Sequence, residues 1–170
     1  MVAMAGWYSR RLTWLLLQLG HASESPMTDT RIARKLLIKP GQRVKPVNPP
    51  GDYVDLLGGL PDGVEVVPES AAEADLVHLF VRDQAELAER WPDVAAGIRP
   101  ETTLWISYPK RSPRVDTDIN RDQGWGVVRA AGYDPVSQVA VDDVWSALRW
   151  RQDPALRAAR EARGARVGRE

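Results

Sequence analysis

Residues 76–108 read LVHLFVRDQAELAERWPDVAAGIRPETTLWISY, and the fold turns on this stretch. Leu76 to Val81 is a continuous run of β-favouring residues, the pattern of a strand buried on both faces. Asp83 is placed to cap the N-terminus of a helix. Ala85, Leu87, Ala88, Trp91, Val94, Ala95 and Ile98 recur near helical spacing, which predicts that this helix is amphipathic. Pro92 falls inside it and is expected to kink or break it, because it lacks an N–H. A second apolar run, Leu104 to Tyr108, closes the unit. Strand, helix and strand in this order give two parallel neighbours joined by a crossover.

The flanks extend the pattern. Ile32 to Ile38 reads as a short helix, and Lys39-Pro-Gly-Gln42 as a turn. Arg43 to Val47 is a strand whose Pro46 predicts a weak or edge position. Asn48-Pro-Pro-Gly51 is a rigid loop. Tyr53 to Leu57 is a short helix ended by Gly58-Gly59. Pro61-Asp-Gly63 turns into a second short strand, Val64 to Val67. Beyond Tyr108, Ile119 to Ala130 reads as a helix with Asp118 as its N-cap and Gly132 as its stop. Val136–Val141 and Trp145–Trp150 read as a hairpin linked through Asp142-Asp143. The whole predicts an α/β fold of three layers, a mostly parallel sheet with a C-terminal antiparallel hairpin.

The chain divides into three segments. Residues 1–27 are an N-terminal extension. Arg10-Arg11 before Leu12–Leu19 has the outline of a secretory signal, but Thr13 and Gln18 interrupt a run too short to span a bilayer. A disordered extension and a natural start at Met27 are the other readings. Residues 28–151 form a single α/β domain. Residues 152–170 are an Arg-rich tail with few large apolar residues, flexible or helical.

Composition removes several chemistries. The chain has 170 residues and no cysteine, so thiol nucleophiles, thiolate zinc sites and disulfides are excluded. Its two histidines, His21 and His78, cannot form a multi-histidine metal site. Lys+Arg 23 balances Asp+Glu 23, so there is no strong nucleic-acid signal. No segment is long enough for a membrane span, and a cytoplasmic setting is expected. No Walker loop, G-x-G-x-x-G, G-x-S-x-G or H-E-x-x-H occurs. The motifs therefore point to no metal site and leave the cofactor and the partner unknown.

In sheets of this kind ligands bind at the carboxyl ends of the strands. Those ends present Asn48, Gly51, Lys110 and Asp142. The loop beyond Lys110 adds Asp118, Arg121 and Trp125. Lys110 comes after a strand-end proline, where its ammonium can meet an anion or simply face solvent. Asp118 and Arg121, three apart, share a helix face, with Arg121 stacked on Trp125. That arrangement is mainly structural, with ligand binding as the other reading. His78, in mid-strand, reads as a satisfied core histidine. Ser107 has no apparent base.

Several segments resemble the bacterial domain-of-unknown-function family 3052: Leu37-Ile-Lys-Pro-Gly-Gln-Arg-Val44, Pro50-Gly-Asp-Tyr53, Leu60-Pro-Asp-Gly63, Ala74-Asp-Leu-Val77, Leu104-Trp-Ile-Ser-Tyr-Pro-Lys110, Thr117-Asp-Ile-Asn-Arg-Asp122 and Asp142-Asp-Val-Trp-Ser-Ala-Leu148. The resemblance spans roughly residues 32–151 and implies no assigned activity or catalytic residue. The layout also resembles a shortened Rossmann-like methyltransferase, through Ala74–Val77, the helix after it, Leu104–Ser107 and the terminal hairpin. Asn48-Pro-Pro-Gly51 stands where that fold carries its glycine-rich methyl-donor loop, and a middle strand–helix unit is missing. Three functions are consistent with this sequence. The first is a small Rossmann-like domain, non-catalytic or binding a small anionic ligand at the strand carboxyl ends. The others are a divergent methyltransferase-like enzyme and a protein-interaction module using the Arg-rich tail.

Overall fold

The computed structural model describes residues 30–112 and 115–167. The readings of residues 1–27 lie outside them. Helix α1 (Arg31–Lys35) precedes β1 (Arg43–Val47), α2 (Tyr53–Leu57), β2 (Glu65–Val66) and β3 (Leu76–Phe80). Helix α3 (Gln84–Ala96), β4 (Thr103–Pro109), α4 (Gly126–Ala130), β5 (Tyr133–Ala140), β6 (Trp145–Gln152) and α5 (Pro154–Val167) complete the order. The six strands form one sheet in the order β2-β1-β3-β4-β6-β5. Neighbours from β2 to β4 are parallel, and β6 pairs antiparallel with both β4 and β5. This is a Rossmann-like α/β sheet with an antiparallel end.

Strand β3 lies at the centre, and all five of its residues are buried. That is why it reads as an unbroken apolar run. Leu76 and Phe80 pack on one face with Leu36, Tyr53, Leu57, Trp105 and Trp145. Val77 and Leu79 pack on the other with Leu87, Trp91, Val94, Trp125 and Trp150. Helix α3 buries Leu87, Trp91 and Val94, spaced four and three apart, against that second face. Asp83 caps it, its carboxylate accepting the Glu86 N–H at 2.8 Å.

Three expectations are corrected. Pro92 does not break α3, which runs without interruption from Gln84 to Ala96. Both Pro92 and Ala88, whose carbonyl it would leave without a donor, lie on the exposed face. Pro46 sits in an interior strand, not at an edge. The Arg43 carbonyl accepts from Asp75 on the β3 side, and the Val44 carbonyl accepts from Val67 on the β2 side. Alternation then aims Pro46 at β2, where the ladder has already ended at Val44↔Val66. The missing N–H therefore costs no bond to β3 and limits β2 to two residues. Finally, the helix expected over 119–130 shrinks to Gly126–Ala130. The Asn120 side chain accepts the N–H groups of Asp122 (2.8 Å) and Gln123 (3.1 Å), holding a turn there. Gly124 then takes φ 97°.

Candidate functional site

The chain runs from β1 through α2 to β2 on one side, then returns to β3 on the other. The topological switch point is therefore between β1 and β3, the usual ligand crevice of an open α/β sheet. Asn48 leaves β1 with φ 54°. Its side-chain amide donates to the Phe80 carbonyl at 3.1 Å and to Glu86 Oε1 at 3.0 Å. Its backbone N–H donates to Glu69 Oε1 at 2.7 Å. Glu86 Oε2 also accepts the Arg82 N–H at 2.7 Å. Burial raises the Glu86 carboxyl, but the bonds from Arg82 and Asn48 outweigh it and hold the group below the ordinary carboxylate range. Polar groups of the chain itself thus span this crevice, from the β1 end to the start of α3. Gly51 stands apart, exposed, with no atom within 4 Å of where a Cβ would lie.

The other candidate residues are each held by partners within the chain. Lys110 Nζ donates to the Asp142 carbonyl. The Asp142 carboxylate accepts the N–H groups of Val144 (2.8 Å) and Trp145 (2.6 Å), shaping the hairpin turn. Asp118 does not cap α4, as expected, but accepts the Gln84 N–H at the start of α3 at 2.8 Å. Thr117 donates its hydroxyl to the Arg82 carbonyl at 2.7 Å. These two bonds dock the loop after β4 onto the end of β3. Trp125 is 2 % exposed and donates its indole N–H to the Asn120 carbonyl at 2.8 Å. The expected Asp118–Arg121 pair and Arg121–Trp125 stack do not form, because residues 119–125 are not helical. Arg121 instead meets Asp122 at 4.0 Å, and Trp150 is the ring with a guanidinium above it, that of Arg129 at 5.9 Å.

Arg121 lines a concavity of about 370 Å³ with Asp122, Arg129, Val136, Ser137 and Gln138. The Gln138 amide donates to the Tyr108 hydroxyl at 3.0 Å. Burial pushes the Tyr108 phenol up, against the pull of the Arg121 guanidinium and a hydrogen bond with Ser146. Arg121, Tyr108 and Gln138 therefore form one polar group beside the carboxyl end of β4.

One constellation was not apparent in the sequence. The Tyr53 hydroxyl lies 2.9 Å from His78 Nδ1, and Ser107 Oγ lies 2.7 Å from His78 Nε2. His78 does have partners, 25 and 29 residues away. The available signal was two polar residues interrupting adjacent apolar strands on one face. A Ser–His contact of this length invites a nucleophile reading. Ser107 and His78 are both 0 % exposed, and burial drives the imidazole down to about 3. No substrate reaches this hydroxyl, so the chain Tyr53–His78–Ser107 is a core device. In either neutral tautomer the protonated nitrogen donates and the bare one accepts from a hydroxyl.

Among the described residues no group of three or more His, Asp or Glu is placed to hold a metal ion. No helix among them is long and apolar enough to cross a membrane. No family model and no curated protein matches the chain. Solved structures similar to it include a SAM-dependent methyltransferase from Aquifex aeolicus, at 12% identity and TM-score 0.48, covering 82% of this chain and 98% of that one. A protein of the NADB-Rossmann superfamily from Streptococcus agalactiae aligns at 11% identity and TM-score 0.45, covering 72% and 67%. An M1A22 tRNA methyltransferase from B. subtilis aligns at 12% identity and TM-score 0.44, covering 72% and 65%. The chain spans about two thirds of the last two. The strand order, not this likeness, establishes the fold.

Proposed function

We propose that this is a Rossmann-like binding domain, non-catalytic at its switch point, that takes a small anionic ligand at Arg121. The observation that carries the reading is the set of hydrogen bonds across the crevice between β1 and β3. Asn48 bridges it to the Phe80 carbonyl and Glu86, and Pro49 and Pro50 remove N–H groups that a phosphate or methyl-donor loop would need. Ligand binding then moves along the same edge to the concavity beside β4. Arg121 is the available cation there, with its side chain 71% exposed. Its Asp122 contact, at the outer limit of an ion pair, holds it weakly. Tyr108 and Gln138 supply neutral polar groups to orient an anion. Membership of family 3052 and a cytoplasmic location belong to the same proposal.

The test is a thermal-shift panel of S-adenosylmethionine, S-adenosylhomocysteine, nucleotides and small carboxylates, on the full chain and on R121Q. A carboxylate at 100 times its dissociation constant stabilises by about 2.7 kcal/mol, roughly 5–10 °C for a chain of this size. The expected result is a carboxylate shift that R121Q loses. A shift with either methyl-donor compound would overturn the reading and place a methyltransferase-like site at the switch point.

A further inference from the structure

The opposite end of the sheet holds a second concavity, of about 270 Å³, lined by the 98–103 loop, Tyr133 and residues 149–152. Its charge is one-sided. Arg99, Arg149 and Arg151 line it, against one carboxylate, Glu101. Arg99 is already neutralised, by Glu101 at 3.1 Å and Glu73 at 3.4 Å. Arg149 and Arg151 are not: neither guanidinium has an ion pair or hydrogen bond to a described residue. They are two residues apart on β6, so their side chains leave the same face of the sheet. Antiparallel pairing sets Arg149 opposite Trp105 on β4 and Arg151 opposite Asp134 on β5, so the strand ladder fixes their bases; the Asp134 carboxylate is met by Arg129 at 3.7 Å and Arg157 at 3.6 Å.

We propose that this concavity is a binding site for a small phosphomonoester, held by Arg149 and Arg151. Two unneutralised guanidiniums match a phosphomonoester dianion, and guanidinium forks suit phosphate oxygens. Thr102 and Thr103 line the same space and bring neutral polar groups. The volume exceeds that of a bare phosphate and leaves room for a small organic substituent. A site here goes beyond the Arg121 reading, since Rossmann-like sheets bind at the other edge.

The full chain, R149Q/R151Q and R121Q are titrated by calorimetry with inorganic phosphate and glycerol phosphate, at ionic strength fixed with sodium chloride. Circular dichroism checks that each variant is folded. Both probes are expected to bind the wild type and R121Q alike. Each lost charge-assisted bond weakens binding about tenfold or more, so R149Q/R151Q is expected to bind neither probe measurably. Binding retained by R149Q/R151Q, or lost by R121Q alone, would overturn the proposal. So would the absence of any heat with the wild type. An unphosphorylated oligonucleotide is added as a third probe. Tighter binding of it, also lost in R149Q/R151Q, would assign the pair to a nucleic-acid backbone and sink the small-ligand site.

Discussion

His78 makes the stability of this fold depend on pH in a way that can be worked out from its burial. In the unfolded chain its imidazole titrates near 6.5. In the fold it is fully buried between Tyr53, Phe80 and Ser107, and burial pushes it down to about 3. Between those values the unfolded state binds a proton that the folded state refuses. Stability therefore rises with pH through this window. The contribution is whole above pH 6.5, shrinks as pH falls, and is gone near pH 3. Each unit below 6.5 removes about 1.4 kcal/mol, so pH 5 removes about 2 kcal/mol and the full span is on the order of 5 kcal/mol. The assay is urea denaturation of the wild type and H78Q at pH 7 and pH 5. Carboxylates, and the other histidine in the chain, His21, titrate in both proteins and cancel in the comparison. The wild type is expected to lose about 2 kcal/mol more than H78Q over this step. The same step should move its Tm about 4–8 °C further. An equal loss in both proteins would refute the burial argument. Should H78Q fail to fold, the His78 Cε1–H resonance of the wild type decides. It should show no titration step from pH 8 to 5, and a midpoint near 6.5 would refute the same reasoning.

Two backbone features give further expectations. A Cβ at Gly124 would meet Ile119 Cγ1 at 2.6 Å on a residue already at φ 97°, so G124A should cost about 3 kcal/mol from clash and left-handed strain together; a loss under about 1 kcal/mol in urea denaturation would mean the 119–125 loop readjusts freely. N48A removes two donors from the Phe80 carbonyl and Glu86 and should cost about 2 kcal/mol, seen as a Tm lowered by roughly 4–8 °C; an unchanged Tm would mean that these bonds do not hold the crevice closed.

The parallel unit was legible because β3 and α3 obey simple periodicities. β3 is unbroken apolar sequence because both of its faces are covered, and α3 repeats its buried residues at helical spacing. The hairpin was legible from alternation and a short acidic link. The 119–130 segment was misread because its apolar residues also suit a helix. The Asn120 side chain competes for backbone donors, and no periodicity count registers that competition. Pro46 reads as marking a weak or edge strand because pattern alone does not reveal which flank a strand's missing donor faces. The individual candidate residues were visible, but their partners were not. Asp118 bonds Gln84 across 34 residues, and Asn48 bonds Glu86 across 38. Such pairings are fixed by strand order, which a linear reading supplies only roughly.

The same strand order explains why the two ends of this sheet differ. At the switch point the chain leaves β1 in one direction and β3 in the other, so their carboxyl ends splay and must be filled. A ligand fills them in many folds of this kind. Here Asn48 bridges them, donating to the Phe80 carbonyl and to Glu86. Asn is also suited to the position, since it tolerates φ 54° better than most residues. Filling the crevice with protein groups trades an adaptable site for a fixed one. On the antiparallel side of the sheet, Arg121 at one end is only weakly paired, with Asp122 at 4.0 Å, and the guanidiniums of Arg149 and Arg151 at the other meet no carboxylate among the described residues. Strand β5 and the end of β6 expose side chains, whereas β3 is buried throughout. On the function proposed above, a ligand for this domain is to be sought over β4, β5 and β6.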